Sequence, residues 1–170
     1  LANQIGNLNT FVGARTGFSN SEGNSNVFIG IESGFHNASG DGNTFVGTQS
    51  GFSNTGNLNT LVGFETGKFH GSGIQNTILG CQSGRYNDGD SNVFVGYKAG
   101  DSNTGTGNVF LGVQTGENNV TGNQNVFLGN KTGAFNDSGS YNVFLGSSAG
   151  ECNVSGEYNV FLGYESGKLN

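Results

Sequence analysis

Asn142-Val143-Phe144-Leu145-Gly146 is one of ten copies of a pentapeptide that recurs every 16 or 17 residues along the chain. The pattern is Asn, then Thr or Val, then Phe, Leu or Ile, then Val, Ile or Leu, then Gly. Copies at so regular a spacing indicate a repeat protein. We call each repeat a coil, number the coils 1 to 10, and number the columns of each coil from its asparagine. These asparagines are Asn9, Asn26, Asn43, Asn59, Asn76, Asn92, Asn108, Asn125, Asn142 and Asn159.

Columns 2 to 4 join β-branched, aliphatic and aromatic residues in front of a glycine, which predicts a short β-strand. Column 7 is polar and column 8 is Thr, Ser or Ala. We therefore predict a second short strand over columns 6 to 8, with column 7 facing water and column 8 facing a narrow interior. The period is too short for helical repeats, which need about 33 residues. The sequence predicts an all-β parallel β-solenoid (β-roll) of ten coils, about 48 Å long at about 4.8 Å per coil.

Three glycine columns hold 30 of the 33 glycines: column 5, column 9, and a third column in the turn that precedes the next coil. We expect these glycines to form corners with positive φ. Column 12 is asparagine except where His70 replaces it, and the asparagine columns predict ladders of stacked amides. The one-residue change in repeat length always falls between column 12 and the third glycine, which indicates an exposed turn.

Both sides of the predicted strand are apolar. Columns 2 and 4 point to one side and column 3 points to the other. One side can fill the coil, and the other needs cover, either from another chain or from a flattened coil that packs both sides inside. Because each coil has a thin core, we expect lateral self-association, with the monomer as the alternative.

The composition argues against several functions. The net charge is −6, and the six basic residues are scattered, whereas nucleic-acid binding needs a basic cluster. No apolar stretch reaches the roughly 18 residues of a membrane span. Glu32 and Glu65 share column 7 two coils apart on an exposed side, which is a poor match to the carboxylate pair of a polysaccharide-degrading enzyme. We predict no enzymatic activity, no catalytic residue and no cofactor.

Metal sites and disulfides are not expected either. Cys81 and Cys152 lie four coils apart, about 19 Å, too far for a disulfide within one chain, so we predict free thiols, with a disulfide between chains as the alternative. His36 and His70 have no neighbouring ligand cluster, and we interpret them as turn residues. The glycine-rich calcium motif of β-roll proteins does not occur. Five Asn-x-Ser/Thr sequons start at Asn37, Asn119, Asn130, Asn136 and Asn153, and four of these are column-12 asparagines that the turn pattern explains.

Aromatic residues form the one candidate site. Phe18, Phe35 and Phe52 occupy column 10 of three successive coils, and Phe69 and Tyr86 continue in column 11. Such a ladder could stack against sugar rings of a surface glycan or receptor, or form a contact between chains. We favour the contact between chains.

The pattern Asn-(Thr/Val)-Phe-(Val/Ile/Leu)-Gly-x-x-(Ser/Thr/Ala)-Gly resembles shaft repeats of phage-type tail fibres and of bacterial surface fibres. It is also similar to the head repeats of trimeric autotransporter adhesins, although this repeat is longer and uses Phe where those heads favour small residues. The resemblance covers all 170 residues. It implies a homotrimer of parallel β-rolls with an attachment or spacer role, located outside the cell, at the cell surface or on a virion.

We treat residues 1–170 as one solenoid domain. Neither end shows a capping repeat, which predicts a segment of a longer fibre or a unit that stacks end to end. The leading hypothesis is a structural or adhesive fibre segment. The alternatives are a carbohydrate-binding β-helix and an ice-binding solenoid. The latter needs a regular threonine array, whereas column 2 offers only Thr10, Thr44, Thr60 and Thr77 among valines.

Overall fold

The computed structural model describes residues 6–170 and shows ten β-strands in one parallel sheet, ordered β1 to β10. Each strand pairs with the next in register, column on column, for example Phe110 with Phe127. The predicted all-β parallel β-solenoid is confirmed. The strands are β1 Thr10–Val12, β2 Val27–Ile29, β3 Thr44–Val46, β4 Thr60–Val62, β5 Thr77–Leu79, β6 Val93–Val95, β7 Val109–Leu111, β8 Val126–Leu128, β9 Val143–Leu145 and β10 Val160–Leu162.

Column 3 forms the core. Its side chains in coils 2 to 9 are fully buried and make one continuous stack inside the solenoid: Phe28, Phe45, Leu61, Ile78, Phe94, Phe110, Phe127 and Phe144. Neighbouring Phe rings lie nearly parallel, with centroids 4.6 to 5.0 Å apart. Columns 2 and 4 point outward, as the strand alternation predicts.

The column-1 asparagines connect each coil to the next. The Asn125 backbone N–H donates to Oδ1 of Asn108 at 2.9 Å, and the Asn142 N–H donates to Oδ1 of Asn125 at 2.9 Å. The Asn125 Nδ2 group donates to the Gly139 carbonyl at 2.8 Å. Because one buried amide satisfies backbone groups of the adjoining coils, an apolar residue here would leave them unpaired.

Column 12 forms a second ladder, from amide to amide. Asn136 Nδ2 donates to Asn119 Oδ1 at 2.6 Å, and Asn119 Nδ2 donates to Asn103 Oδ1 at 2.7 Å. The side chains are fully buried. The predicted amide ladders are therefore present inside the coil, where each buried amide hydrogen-bonds to the next amide instead of to solvent.

Glycine is required in the three glycine columns for two different physical reasons. Column-5 and column-9 glycines have positive φ, between 119° and 143° and between 54° and 60°, as predicted. The third glycine column is without positive φ, so that part of the prediction is wrong. There the next coil approaches closely: a Cβ on Gly23 would lie 2.5 Å from the Gly40 carbonyl oxygen. Gly is required at that column by lack of space.

The predicted second strand is also wrong. Columns 6 to 11 form a turn, and column 7 has positive φ in all ten coils, between 52° and 56°. The predicted directions nevertheless hold for column 8, whose side chains point inside; Thr132 Oγ1 donates to the Gly146 carbonyl at 2.7 Å. The turn before the third glycine is exposed at Ala38 and Ser39, where the extra residue is inserted.

Candidate contact surfaces of the rod

The predicted aromatic ladder consists of two separate stacks. Phe18, Phe35 and Phe52 stack with centroids 4.9 and 5.1 Å apart and interplanar angles of 7° and 12°. Phe69 and Tyr86 form the second stack at 5.1 Å. The shift from column 10 to column 11 separates the two, because Lys68 takes the column-10 place below Phe52.

Within each stack, the rings cover the faces that they turn toward each other. Phe35 has a nearly parallel ring on both faces, so only its rim is open, whereas Phe18 and Phe52 at the ends of the stack each have a stacked ring on one face. Lys68 Nζ lies 5.4 Å from the Phe69 centroid, and the Arg85 guanidinium lies 4.9 Å from the Tyr86 centroid, which adds cation–π contacts. A sugar ring needs an open aromatic face, which the stacked rings can offer only at the ends of each stack, so this geometry favours an edge contact with another chain over stacking on a glycan.

Tyr141 and Tyr158 form a third stack, which the sequence reasoning missed. Their rings are 5.0 Å apart and both side chains are exposed. The sequence contained the signal, since each tyrosine comes directly before the column-1 asparagine of successive coils.

The outward face of the sheet carries no charged side chain. Column 2 presents four Thr and six Val, and column 4 presents four Val, one Ile and five Leu. Val126 and Leu128 on β8 are 40% and 44% exposed. From coil 6 onward both columns are entirely aliphatic, whereas coils 1 to 5 contain all four threonines.

Charges divide between two other parts of the rod. All six cations and six of the twelve carboxylates occupy columns 7 and 10. Five of these cations form ion pairs there, as Lys68 with Glu65 at 2.7 Å and Arg85 with Asp101 at 3.2 Å. The other six carboxylates, which account for the net charge of −6, lie in the turn between column 12 and the next coil: Glu22, Asp41, Asp88, Asp90, Asp137 and Glu157.

Two carboxyl groups in columns 7 and 10 have shifted pKa values. The hydrogen bond from Lys68 lowers the pKa of Glu65, with a further contribution from Gln82. Burial raises the pKa of Asp101, against the opposing effect of Arg85. Glu32 and Glu65, two of the three column-7 glutamates, each accept a hydrogen bond from the glutamine of the next coil, at 2.7 Å from Gln49 and 3.0 Å from Gln82. Both carboxylates thus serve the inter-coil ladder.

The histidines and cysteines divide between surface and interior. His36 is exposed and contacts Phe35 and Phe52 edge-on. His70 is an interior residue, so its interpretation as a turn residue is wrong: it is fully buried in the asparagine ladder of column 12. Its ring nitrogens contact the side-chain amides of Asn54 at 2.6 Å and Asn76 at 3.1 Å. Burial lowers the pKa of His70 to about 4.

Cys81 and Cys152 form no disulfide with each other, as predicted. Cys81 is exposed in column 6, directly beside the outward sheet face. Within residues 6–170 no three His, Cys, Asp or Glu side chains come together as a metal site, and no pocket is present. Four of the five sequon asparagines are fully buried, and Asn130 alone among the five is exposed.

The part of the chain that the structure describes has no helix with the length and apolar character needed to cross a bilayer. Comparison of this chain with protein-family models, with curated proteins and with solved structures found no match.

Proposed function

We propose that this chain is a non-enzymatic structural segment of a fibre, a spacer or receptor-presenting shaft in surface attachment outside the cell, at a cell surface or on a virion. The observation that carries the proposal is the strict column-on-column register of all ten strands. Each coil contacts only its neighbours and repeats the same cross-section, so added coils lengthen the rod and leave its shape unchanged.

Self-association is part of this proposal. The resemblance to fibre and adhesin repeats implies a homotrimer, and end-to-end stacking is a second mode of assembly. The uncharged outward face and the exposed ring edges of Phe18, Phe35 and Phe52 support lateral contact between chains. Sheets that remain monomeric normally carry polar side chains on their solvent face.

Analytical ultracentrifugation over a range of concentrations tests the assembly. A trimer would have a mass of 52.5 kDa, three times the 17.5 kDa of one chain. Its sedimentation should also show the high friction of an elongated particle. A compact particle of 17.5 kDa at every concentration up to about 100 μM, well above typical micromolar affinities, would contradict the self-associating fibre segment.

In coils 3 to 5, one observation favours the ice-binding alternative. Thr44, Thr60 and Thr77 point outward from three consecutive strands, in register and one coil apart. The array ends at Val93, which makes it short. Thermal hysteresis of freezing in a nanolitre osmometer would support ice binding, and it should then disappear in Thr60→Leu.

A further inference from the structure

We infer that the outward face of the sheet, formed by columns 2 and 4, is the surface on which a second copy of this chain docks, with the two rods side by side and parallel. This inference rests on the proposed function and names the surface and the orientation through which the copies associate.

The composition of the face is the first argument. Its twenty side chains in columns 2 and 4 include no charged or amide residue, although the rest of the rod exposes many of both. In a sheet with one solvated face, the outward positions are normally polar. This face instead continues as apolar or Thr through all ten coils, and Val126, Leu128 and Val95 expose between 37% and 44% of their surface on interior coils.

The area of the face determines how a partner can lie on it. Ten coils at about 4.8 Å give a length of about 48 Å, and columns 2, 4 and the bordering column 6 span about 15 Å. The resulting 700 Å² or so approaches the roughly 800 Å² per partner of a stable interface. Two rods crossing at right angles would share only about 15 by 15 Å, so the sheets must be aligned rather than orthogonal.

The surface relief identifies the partner as a second copy. The face consists of parallel ridges, two side chains wide and one coil apart, as the pairing of Val109 with Val126 and of Leu111 with Leu128 shows. A flat surface of such ridges is best matched by another with the same spacing. The chain itself supplies that surface, without charges that would repel a copy.

The division of the face into two halves gives the orientation. Thr10, Thr44, Thr60 and Thr77 all lie in coils 1 to 5, and coils 6 to 10 present only Val and Leu. Antiparallel rods would bury each threonine hydroxyl against the aliphatic half, where it finds no hydrogen-bond partner. Parallel rods place aliphatic half against aliphatic half and keep the hydroxyls of both copies together.

Matched variants test the surface. Val126 on the face and Val120 in the turn before coil 8 are 40% and 39% exposed, so Val→Glu meets similar solvent at both places in the isolated chain. Sedimentation equilibrium should show a dissociation constant raised at least tenfold in Val126→Glu. Val120→Glu should stay within about twofold of the unmodified chain. Circular dichroism verifies that both variants fold.

The outcomes separate this inference from the proposed function. Association that survives unchanged in Val126→Glu overturns the docking face and leaves a self-associating fibre segment standing. An unmodified chain that remains monomeric overturns both.

A spin-label distance tests the orientation. The chain carries Ser147→Cys in column 6 of coil 9, with Cys81→Ser and Cys152→Ser removing the native thiols. Parallel rods bring the two labels to the same height, within about 25 Å of each other. Antiparallel rods place coil 9 beside coil 2, seven coils away or about 34 Å along the rod. A pulsed EPR distance of about 34 Å or more overturns the parallel arrangement.

Discussion

The inward and outward sides of the same ten strands differ in how far their residues vary from coil to coil. Column 1 is always Asn and column 3 is always Phe, Leu or Ile, and both are buried in the interior coils. Outward column 6 ranges from Ser147 and Asn130 to Phe64 and Tyr97. An inward side chain must fit the coil above and the coil below, whereas an outward one contacts solvent or a partner. The inward columns therefore define the fold, and the outward columns are free to define what the rod contacts.

The largest expected difference between the two sides is at Phe110. Its ring lies between those of Phe94 and Phe127 at 5.0 and 4.9 Å and is fully buried. Phe110→Ala should lower the free energy of unfolding by about 3–5 kcal/mol, because the cavity cannot close between rigid coils. Gln114→Ala, on the outward side of the same coil, should cost less than about 0.5 kcal/mol.

Thermal and denaturant melts of the two variants measure this difference. Equal stability of Phe110→Ala and Gln114→Ala would show that the sides of the strand are wrongly assigned. Phe110→Leu should fall between them, since Leu61 already occupies this column in coil 4.

Close approach of neighbouring coils predicts the next effect. A Cβ on Gly112 would lie less than 3 Å from the carbonyl group of Gly129, at a φ of 139°. Gly107, which directly precedes the same coil, has a φ of 71°, and its added Cβ would meet only Gln124 Cγ at 3.4 Å. Gly112→Ala should therefore cost about 3 kcal/mol or more, and Gly107→Ala about 1 kcal/mol. Chemical denaturation of both variants measures the two losses in free energy of unfolding. Similar losses would mean that the positive φ, rather than the close approach of the next coil, determines the cost of adding a Cβ.

His70 provides a pH test of the interior. The side-chain NH2 groups of Asn54 and Asn76 lie 2.6 Å from Nδ1 and 3.1 Å from Nε2 of His70. An amide NH2 group can only donate, so a ring nitrogen must be unprotonated to accept from it, and a protonated ring could accept neither hydrogen bond. This pattern needs the neutral ring. Burial lowers the pKa of His70 to about 4, although Asp88 and Asp90 oppose that shift.

The free energy of unfolding should depend on pH accordingly. The unfolded chain binds a proton near pH 6.5, its ordinary value, and the folded chain only near pH 4. Above pH 6.5, His70 is neutral in both states and does not make the free energy of unfolding depend on pH. As the pH falls from 6.5 through 4, the free energy of unfolding decreases by up to about 3 kcal/mol. His70→Asn, the residue of the other nine coils, should remove this part of the pH dependence. Denaturant melts at pH 7, 5 and 4 that show the same slope in both proteins would contradict the assignment.

The sequence predicted the structure correctly in the columns where only one physical reason explains the residue type. This was so for the Phe and Asn columns, and the strands, the core and the amide ladders followed from them. The polar–small alternation at Lys131 and Thr132 fits a strand and a tight turn equally well, and only the positive φ at Lys131 distinguishes the two. The third glycine column had the same ambiguity, because lack of space and positive φ both select Gly. The stacking of Phe18, Phe35 and Phe52 was predicted from their shared column, but the separation of Phe69 and Tyr86 into a second stack required coordinates.

The smallest expected effect concerns strain on the outward side. The residue just before each column-1 asparagine has positive φ in every described coil, and eight of these ten residues are not glycine. Gln124, at 53°, is an exposed example, and Gly42 and Gly107 occupy the same place directly before coils 3 and 7. A residue with a Cβ is disfavoured in this conformation by about 1–2 kcal/mol. Glycine avoids this strain, but its greater conformational entropy in the unfolded chain offsets part of the stabilisation.

Gln124→Gly should therefore raise the free energy of unfolding by about 0.5–1 kcal/mol. Gln124→Ala is the control, because it removes the same side chain but keeps the Cβ, and it should leave stability nearly unchanged. A stabilisation equal in both variants would place the effect in the lost side chain rather than in the backbone. A gain confined to glycine would show that the inward columns impose the backbone path and that outward residues are retained there despite the strain. The apolar residues at this strained, exposed place, Leu8, Leu58, Tyr141 and Tyr158, would then be the next to test as contacts with a partner chain.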